Sequence, residues 1–160
     1  MDDALAFRRL LPSDGPALVA FFDDLSSSGD TKFFHPHPFT HDHAYLIASY
    51  PGRDLYAGAV AGGRILAYGL LRGWDQGYPV PSLGVALHPA ARGTGLSRAF
   101  MSYLHSAARL RGSPRVRLKV YPENHAARRL YESLGYAFAE AAPDGQLVGV
   151  LDLGRGAKAA

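Results

Sequence analysis

Residues 83–111 carry a strand, a glycine-rich turn and a helix in immediate succession, and this order constrains the fold more than any other feature of the chain. Leu83, Val85 and Leu87 alternate as in a strand. His88-Pro89-Ala90-Ala91-Arg92-Gly93-Thr94-Gly95-Leu96-Ser97-Arg98 follows, after which Leu96, Ala99, Phe100, Tyr103, Leu104 and Ala107 recur at helical spacing. A turn placed this way aims backbone N–H groups and the positive end of a helix dipole at one point. Gly93 and Gly95 admit positive φ and let an anion approach the amides. The guest that suits such a turn is a phosphate or pyrophosphate; the plainer alternative is a strand-to-helix turn that happens to hold two glycines. Two phosphate-binding folds are excluded by spacing. No Gly-Lys-Ser/Thr follows a four-residue gap, and Arg98 stands where a dinucleotide fingerprint needs its third glycine.

Arg92-Gly93-Thr94-Gly95-Leu96-Ser97 resembles the acyl-CoA signature of the GCN5-related N-acetyltransferases (GNAT), Arg/Gln-x-x-Gly-x-Gly/Ala, with Ser97 where the family usually has glycine or alanine. Asn124-His125-Ala126-Ala127-Arg128-Arg129-Leu130-Tyr131-Glu132-Ser133-Leu134-Gly135-Tyr136 resembles the family's second block in full, at the expected distance downstream. The resemblance implies acetyl-CoA (CoA) held by Leu87, Arg92, Gly93, Thr94, Gly95, Leu96 and Ser97. It further implies Asn124 against the pantetheine arm and Tyr131 beside the thioester sulfur, as acid to the leaving thiolate. Read without it, Tyr131 is a core aromatic on the stripe Ala127, Leu130, Tyr131 and Leu134, and Asn124 is a helix N-cap. Many family members carry a glutamate where this chain has Ser82, and serine cannot serve as that base unaided.

Composition sets the bounds. A chain of 160 residues, 48% hydrophobic and 19% charged, suits one globular domain, expected over residues 1–160 with a loose tail after about 154. No run approaches the roughly 18 apolar residues of a membrane helix, and Asp2 and Asp3 stand where a secretory signal would be basic. The absence of cysteine excludes disulfides, thiolate metal sites and a cysteinyl acyl-enzyme, so transfer is expected to be direct, within a ternary complex. A cytoplasmic protein that binds neither membrane nor nucleic acid is the expectation. The net charge of +3 conceals a cationic stretch: Arg92, Arg98, Arg109, Arg111, Arg115, Arg117, Lys119, Arg128 and Arg129. A polyanionic cofactor explains it better than nucleic acid, since the stretch lacks interleaved exposed aromatics and any recognisable nucleic-acid-binding module. Arg109 and Arg111 read instead as solvated cations closing a helix.

Along the chain, Ala4–Leu10 reads as a strand, and Pro12–Pro16 opens a helix with the stripe Leu18, Phe21, Phe22 and Leu25. Thr40 caps a second helix with Ala44, Ile47 and Ala48 inward. Leu55–Ala61 and Arg64–Arg72 form a hairpin about Gly62-Gly63, and Ser82–Leu87 a further strand. The long helix spans Gly95–Arg111, then come a strand at Arg115–Tyr121, a helix after Asn124, and strands at Tyr136–Ala141 and Gln146–Leu153. The fold class is α/β (α+β): a single mixed, largely antiparallel central sheet with helices on both faces, acyl-CoA N-acyltransferase-like.

For the base, the candidates lie in the segment His35 to His43 and in the loop Trp74-Asp75-Gln76-Gly77-Tyr78, acting directly or through water. His35 and His37 stand foremost, because histidine removes protons near neutrality and the segment around the first two helices overhangs the acceptor site in the family fold. His35, His37, Phe39, Trp74, Asp75, Tyr78 and Ser82 are the residues expected to line the acceptor, with Phe33, Phe34 and Phe39 also serving as lid packing. A metal site in His35–His43 is disfavoured: prolines hold the segment extended, and His41 and His43 cannot share a helix face. The function expected is acetyl-CoA-dependent N-acetylation of the primary amine of a small molecule, an amino sugar by preference, in a monomer or homodimer. A non-catalytic acyl-CoA sensor on the same fold, and an acetyltransferase of protein or peptide amines, stay open beside it.

Overall fold

The computed structural model describes residues 4–154, so the expected loose tail lies outside the described residues. Seven strands form one sheet: β1 (Ala6–Arg9), β2 (Leu55–Ala61), β3 (Arg64–Arg72), β4 (Ser82–Leu87), β5 (Arg115–Val120), β6 (Ala137–Ala141) and β7 (Leu147–Asp152). Their order is β1-β2-β3-β4-β5-β7-β6. The helices are α1 (Gly15–Ser27), α2 (His41–Ala48), α3 (Leu96–Leu110) and α4 (His125–Ser133). This is the expected single mixed sheet with helices on both faces. Every expected element is present, with ends displaced by a residue or two, as fraying ends are.

β3 sits between the two cores and shows how they are divided. A bulge opposite Ala59 and Val60 leaves Leu66 unpaired and reverses the facing of Ile65. Ile65, Tyr68 and Leu70 thereby share a face and pack against Leu18, Phe21, Phe22 and Leu25 of α1 and Ala44 and Ile47 of α2. On the other face, Ala67 and Leu71 meet Phe100, Met101, Leu104 and Ala108 of α3, each large side chain contributing about 1.5–3 kcal/mol by burial. Gly69 is what lets α3 lie so close. A Cβ there would stand 2.7 Å from Phe100 and 2.8 Å from Leu104. α4 adds Tyr131 and Leu134 to the α3 side, yet none of its residues is fully buried. Its apolar stripe borders open space.

That space opens because β4 and β5 are parallel and barely joined. They pair at a single position, Ser82 with Arg117, supported by the Arg117 N–H donating to the Pro81 carbonyl at 3.0 Å. Past this bridge the strands part, and the β4 backbone edge from Leu83 to Leu87 has no strand beside it.

Candidate active site

The glycine turn is held by three side chains before any ligand enters. The Ala90 N–H donates to His88 Nδ1 at 3.0 Å, which leaves Nε2 as the donor to Asp24 of α1 at 2.8 Å. His88 is 8% exposed, and it pins the end of β4 to α1. The Thr94 hydroxyl donates to the Ala91 carbonyl at 2.6 Å and accepts from the Leu96 N–H at 3.4 Å. Gly93 and Gly95 have φ of +73° and +81°, and nothing lies within 4 Å of a Cβ built on either. Gly95 is the N-cap of α3, so the first amides of that helix have no intrahelical carbonyl to bond. Positive φ, open space and free amides coincide, and the turn fits a pyrophosphate.

From this turn a groove of about 520 Å³ runs between β4 and α4. Leu83–Leu87 form one wall, Lys119, Val120, Asn124, Ala127, Leu130 and Tyr131 the other, and Phe33 and Phe34 the roof. Asn124 Oδ1 accepts from the Ala127 N–H at 3.4 Å, so it caps α4 while its amide group stands at the groove. The Tyr131 hydroxyl has no hydrogen-bond partner among the described residues, and burial pushes its pKa up to about 12. A phenol so placed stays protonated and is a donor at any physiological pH. Behind it the Tyr136 hydroxyl meets His105 Nε2 at 2.7 Å, and burial lowers the His105 pKa to about 4.

Beyond Leu83 and Gly84 the groove continues into a second region of about 590 Å³. His35, Arg72, Ser82, Arg117, Lys119, Asp144 and Gln146 line it, again beneath Phe33 and Phe34. His35 Nε2 is 2.9 Å from the Tyr121 hydroxyl. A further extension past Arg72, Ser82 and Arg117 is bordered by Tyr50, Asp54, Asp75 and Tyr78, the last 61% exposed.

Several expected residues are elsewhere or act otherwise. His37 borders neither groove. The chain bends at Pro36 and His37 rather than running straight, so His35 and His37 part company. His37 Nδ1 donates to the Pro38 carbonyl at 2.9 Å and Nε2 accepts from the buried Tyr68 hydroxyl at 2.8 Å. Burial lowers its pKa to about 4, helped by His43 and Arg72, so it is neutral near pH 7 and both nitrogens are engaged. Phe39 packs on Phe22 at 5.0 Å and on Phe34 at 5.9 Å, partly buried against the α1–α2 core. Trp74 is 6% exposed; its Nε1 donates to Ser113 at 3.1 Å and its ring lies under the Arg111 guanidinium at 4.3 Å. Arg111 is therefore a stacked cation and not a freely solvated one.

Asp75 accepts from the Arg53 and Asp54 amides at 2.8 and 2.9 Å and from the Tyr50 hydroxyl. The Tyr50 bond, then the two amides, hold its pKa at about 2, too low for a base. In the turn itself, the Leu96 side chain is in the α3 core and the Thr94 hydroxyl is occupied, so Thr94 offers backbone only, and the Leu96 amide must first give up the long bond to Thr94. The cationic stretch is likewise dispersed. Arg92 pairs with Asp30, Arg98 bonds Ser133 on α4, Arg109 bonds the Leu153 carbonyl, and Lys119 pairs with Asp144. Only Arg92 and Lys119 of that stretch border the first groove. Sequence reading missed His88, Asp30, Arg72 and the role of Arg117; the clean alternation of β5 carried a signal only for the last.

A twisted sheet prised open between two parallel strands, next to a glycine turn at a helix N-terminus, defines the acyl-CoA N-acyltransferase-like fold. The profile of the acetyltransferase (GNAT) family matches residues 19–136, and the chain belongs to that family. It is 32% identical over 83 residues to an acetyltransferase of Pectobacterium atrosepticum, covering 52% of this chain and 57% of the relative. An acetyltransferase of Sodalis glossinidius is 31% identical over the same extent, so the chain matches little more than half the length of these curated relatives. Among solved structures, a GNAT-family acetyltransferase from Streptococcus pneumoniae superposes with a TM-score of 0.78 at 19% identity, over 94% of this chain and 100% of that one. A GCN5-related N-acetyltransferase from Kribbella flavida gives 0.76 at 25%, over 93% and 98%. An acetyltransferase structure from Salmonella typhimurium with its cofactor acetyl-CoA gives 0.76 at 21%, over 94% and 95%.

Proposed function

We propose that this protein transfers an acetyl group from acetyl-CoA to the primary amine of a small molecule, both reactants being held in the one groove. The observation that carries the reading is the unpartnered Tyr131 hydroxyl in the groove that leads away from the Gly93–Gly95 turn. Acetyl-CoA, when bound, supplies the activated thioester. The amides of Gly93 through Ser97, with the Arg92 guanidinium, would hold the pyrophosphate, and the free β4 edge and the Asn124 amide would hold the pantetheine arm. Arg92 must then exchange Asp30 for phosphate.

Tyr131 is suited to donating a hydrogen bond to a developing thiolate. With its pKa at about 12, against about 8.5 for an ordinary thiol, complete proton transfer is uphill, and stabilising the charge is the larger part of its work. His35 is the side chain of the acceptor region suited to taking the amine's proton, directly or through water. The amino-sugar acceptor suits a region with aromatic Phe33 and Phe34 beside Ser82 and Gln146.

Release of free thiol from acetyl-CoA across an amine panel, with mass spectrometry of the products, tests the proposal. Acetyl-CoA binding without thiol release from any amine would instead make the protein an acyl-CoA sensor.

A further inference from the structure

Three consecutive strands place Arg72, Ser82 and Arg117 in one row. Arg72 of β3 is in register with Ser82 of β4, and Ser82 with Arg117 of β5. In-register partners project to the same face of a sheet. The two arginines therefore flank the serine with Cα atoms about 10 Å apart, two strand spacings. All three border both the acceptor region and its extension.

Neither arginine has an ion-pair partner among the described residues. The carboxylates nearby are engaged otherwise. Asp54 Oδ1 accepts from the Gly73 and Asp75 amides at 3.1 Å each, and Asp75 takes two amides and the Tyr50 hydroxyl. Asp144 takes Lys119 at 3.0 Å and the Gln146 side chain at 2.9 Å. His35 and Lys119 are the other groups of either sign facing the row. Two guanidiniums and a hydroxyl, with no carboxylate assigned to them, form a receptor for a carboxylate or phosphate.

We infer that the acceptor carries, besides its amine, an anionic group, carboxylate or phosphate, which Arg72, Ser82 and Arg117 hold. This inference rests on the acetyltransferase reading and narrows its substrate class. The row stands at the bridge where β4 and β5 part, and the cofactor groove begins at Leu83 and Gly84, one and two residues further along β4.

The test is turnover of matched pairs: amino acids against their carboxamides, and an amino-sugar phosphate against the bare amino sugar. The anionic member of at least one pair should be preferred in kcat/KM. Arg117→Gln, at an exposed position that does not endanger folding, should cost that member about 10- to 100-fold. Arg72 also leans on the Tyr56 hydroxyl, so Arg72→Lys is the variant there, retaining charge but not the bidentate fork. It should recover part of the preference that Arg72→Gln loses. Equal use of both members, or an unmoved preference in Arg117→Gln, overturns the anion row and leaves the acetyltransferase reading standing. If acetyl-CoA binds but no amine reacts, that reading fails. The row is then judged by calorimetric titration of the same anions into the cofactor-loaded protein. Binding lost in Arg117→Gln sustains the row, and no binding to the wild type overturns it.

Discussion

At the Gly93–Gly95 end of the groove the groups on offer are backbone amides, whereas at the Arg72–Arg117 end they are side chains brought from three strands and a loop. The first end depends on two left-handed φ angles and a helix start. It should withstand most side-chain changes and fail when a glycine is filled. The second depends on which side chains neighbour one another in the fold, so single substitutions there should retune selectivity while leaving the cofactor end intact. Two histidines sharpen the contrast within the second end. His35 and His37 are two residues apart, yet one borders the proposed acceptor region and the other is locked onto Tyr68.

The substitution expected to break the comparison most severely is Gly95→Asp. It forces a side chain into the left-handed region, at a cost of about 1–2 kcal/mol, and sets a carboxylate where the phosphate belongs. Acetyl-CoA binding should vanish in calorimetry while Tm falls by only a few degrees. Retained affinity would mean that the turn is not the phosphate site. Next is Tyr131→Phe, which keeps the ring and removes the unpartnered hydroxyl. It should lower kcat about 100-fold with acetyl-CoA affinity unchanged; equal kcat would return Tyr131 to a packing role.

His35→Gln should lower kcat/KM for the amine about 10-fold and move the acidic limb of its pH profile. His37→Leu should leave that limb in place and instead destabilise the protein by about 1–3 kcal/mol, because the buried Tyr68 hydroxyl loses its acceptor. A limb that moved with His37 and not with His35 would reverse the assignment. A last check, independent of turnover, is the pH dependence of stability. His37 and His105 have folded pKa values of about 4, below the unfolded value of about 6.5. The unfolded chain therefore binds more protons between those values, and stability should fall as pH drops from 6.5 to 4. Urea midpoints across that window should show the slope, shallower in His37→Gln. A flat profile would mean that neither ring is neutral-locked.

What the chain reveals on its own is local. Leu83, Val85 and Leu87, the two glycines, and the helical recurrence from Leu96 to Ala107 lie within one continuous stretch, so periodicity and turn chemistry suffice to place them. The Asn124–Tyr136 block is similarly contiguous, and Thr40 and Asn124 cap the helices that their residue types announce. These features specify the strands, the helices and the anion turn, because each is set by interactions over a few residues. The rest is decided between elements far apart in sequence. Register alone lines up Arg72, Ser82 and Arg117, and a lone bridge opens the groove. A bend at Pro36 and His37 separates two histidines that an extended strand would have kept together. Trp74 illustrates the same limit: a loop tryptophan reads as a ligand contact until Ser113 and Arg111, nearly 40 residues on, are found to enclose it. Hydrophobic pattern dictates which face a residue takes, but which side chain meets another across the sheet is a matter of strand order and register, and these exist only once the chain has packed.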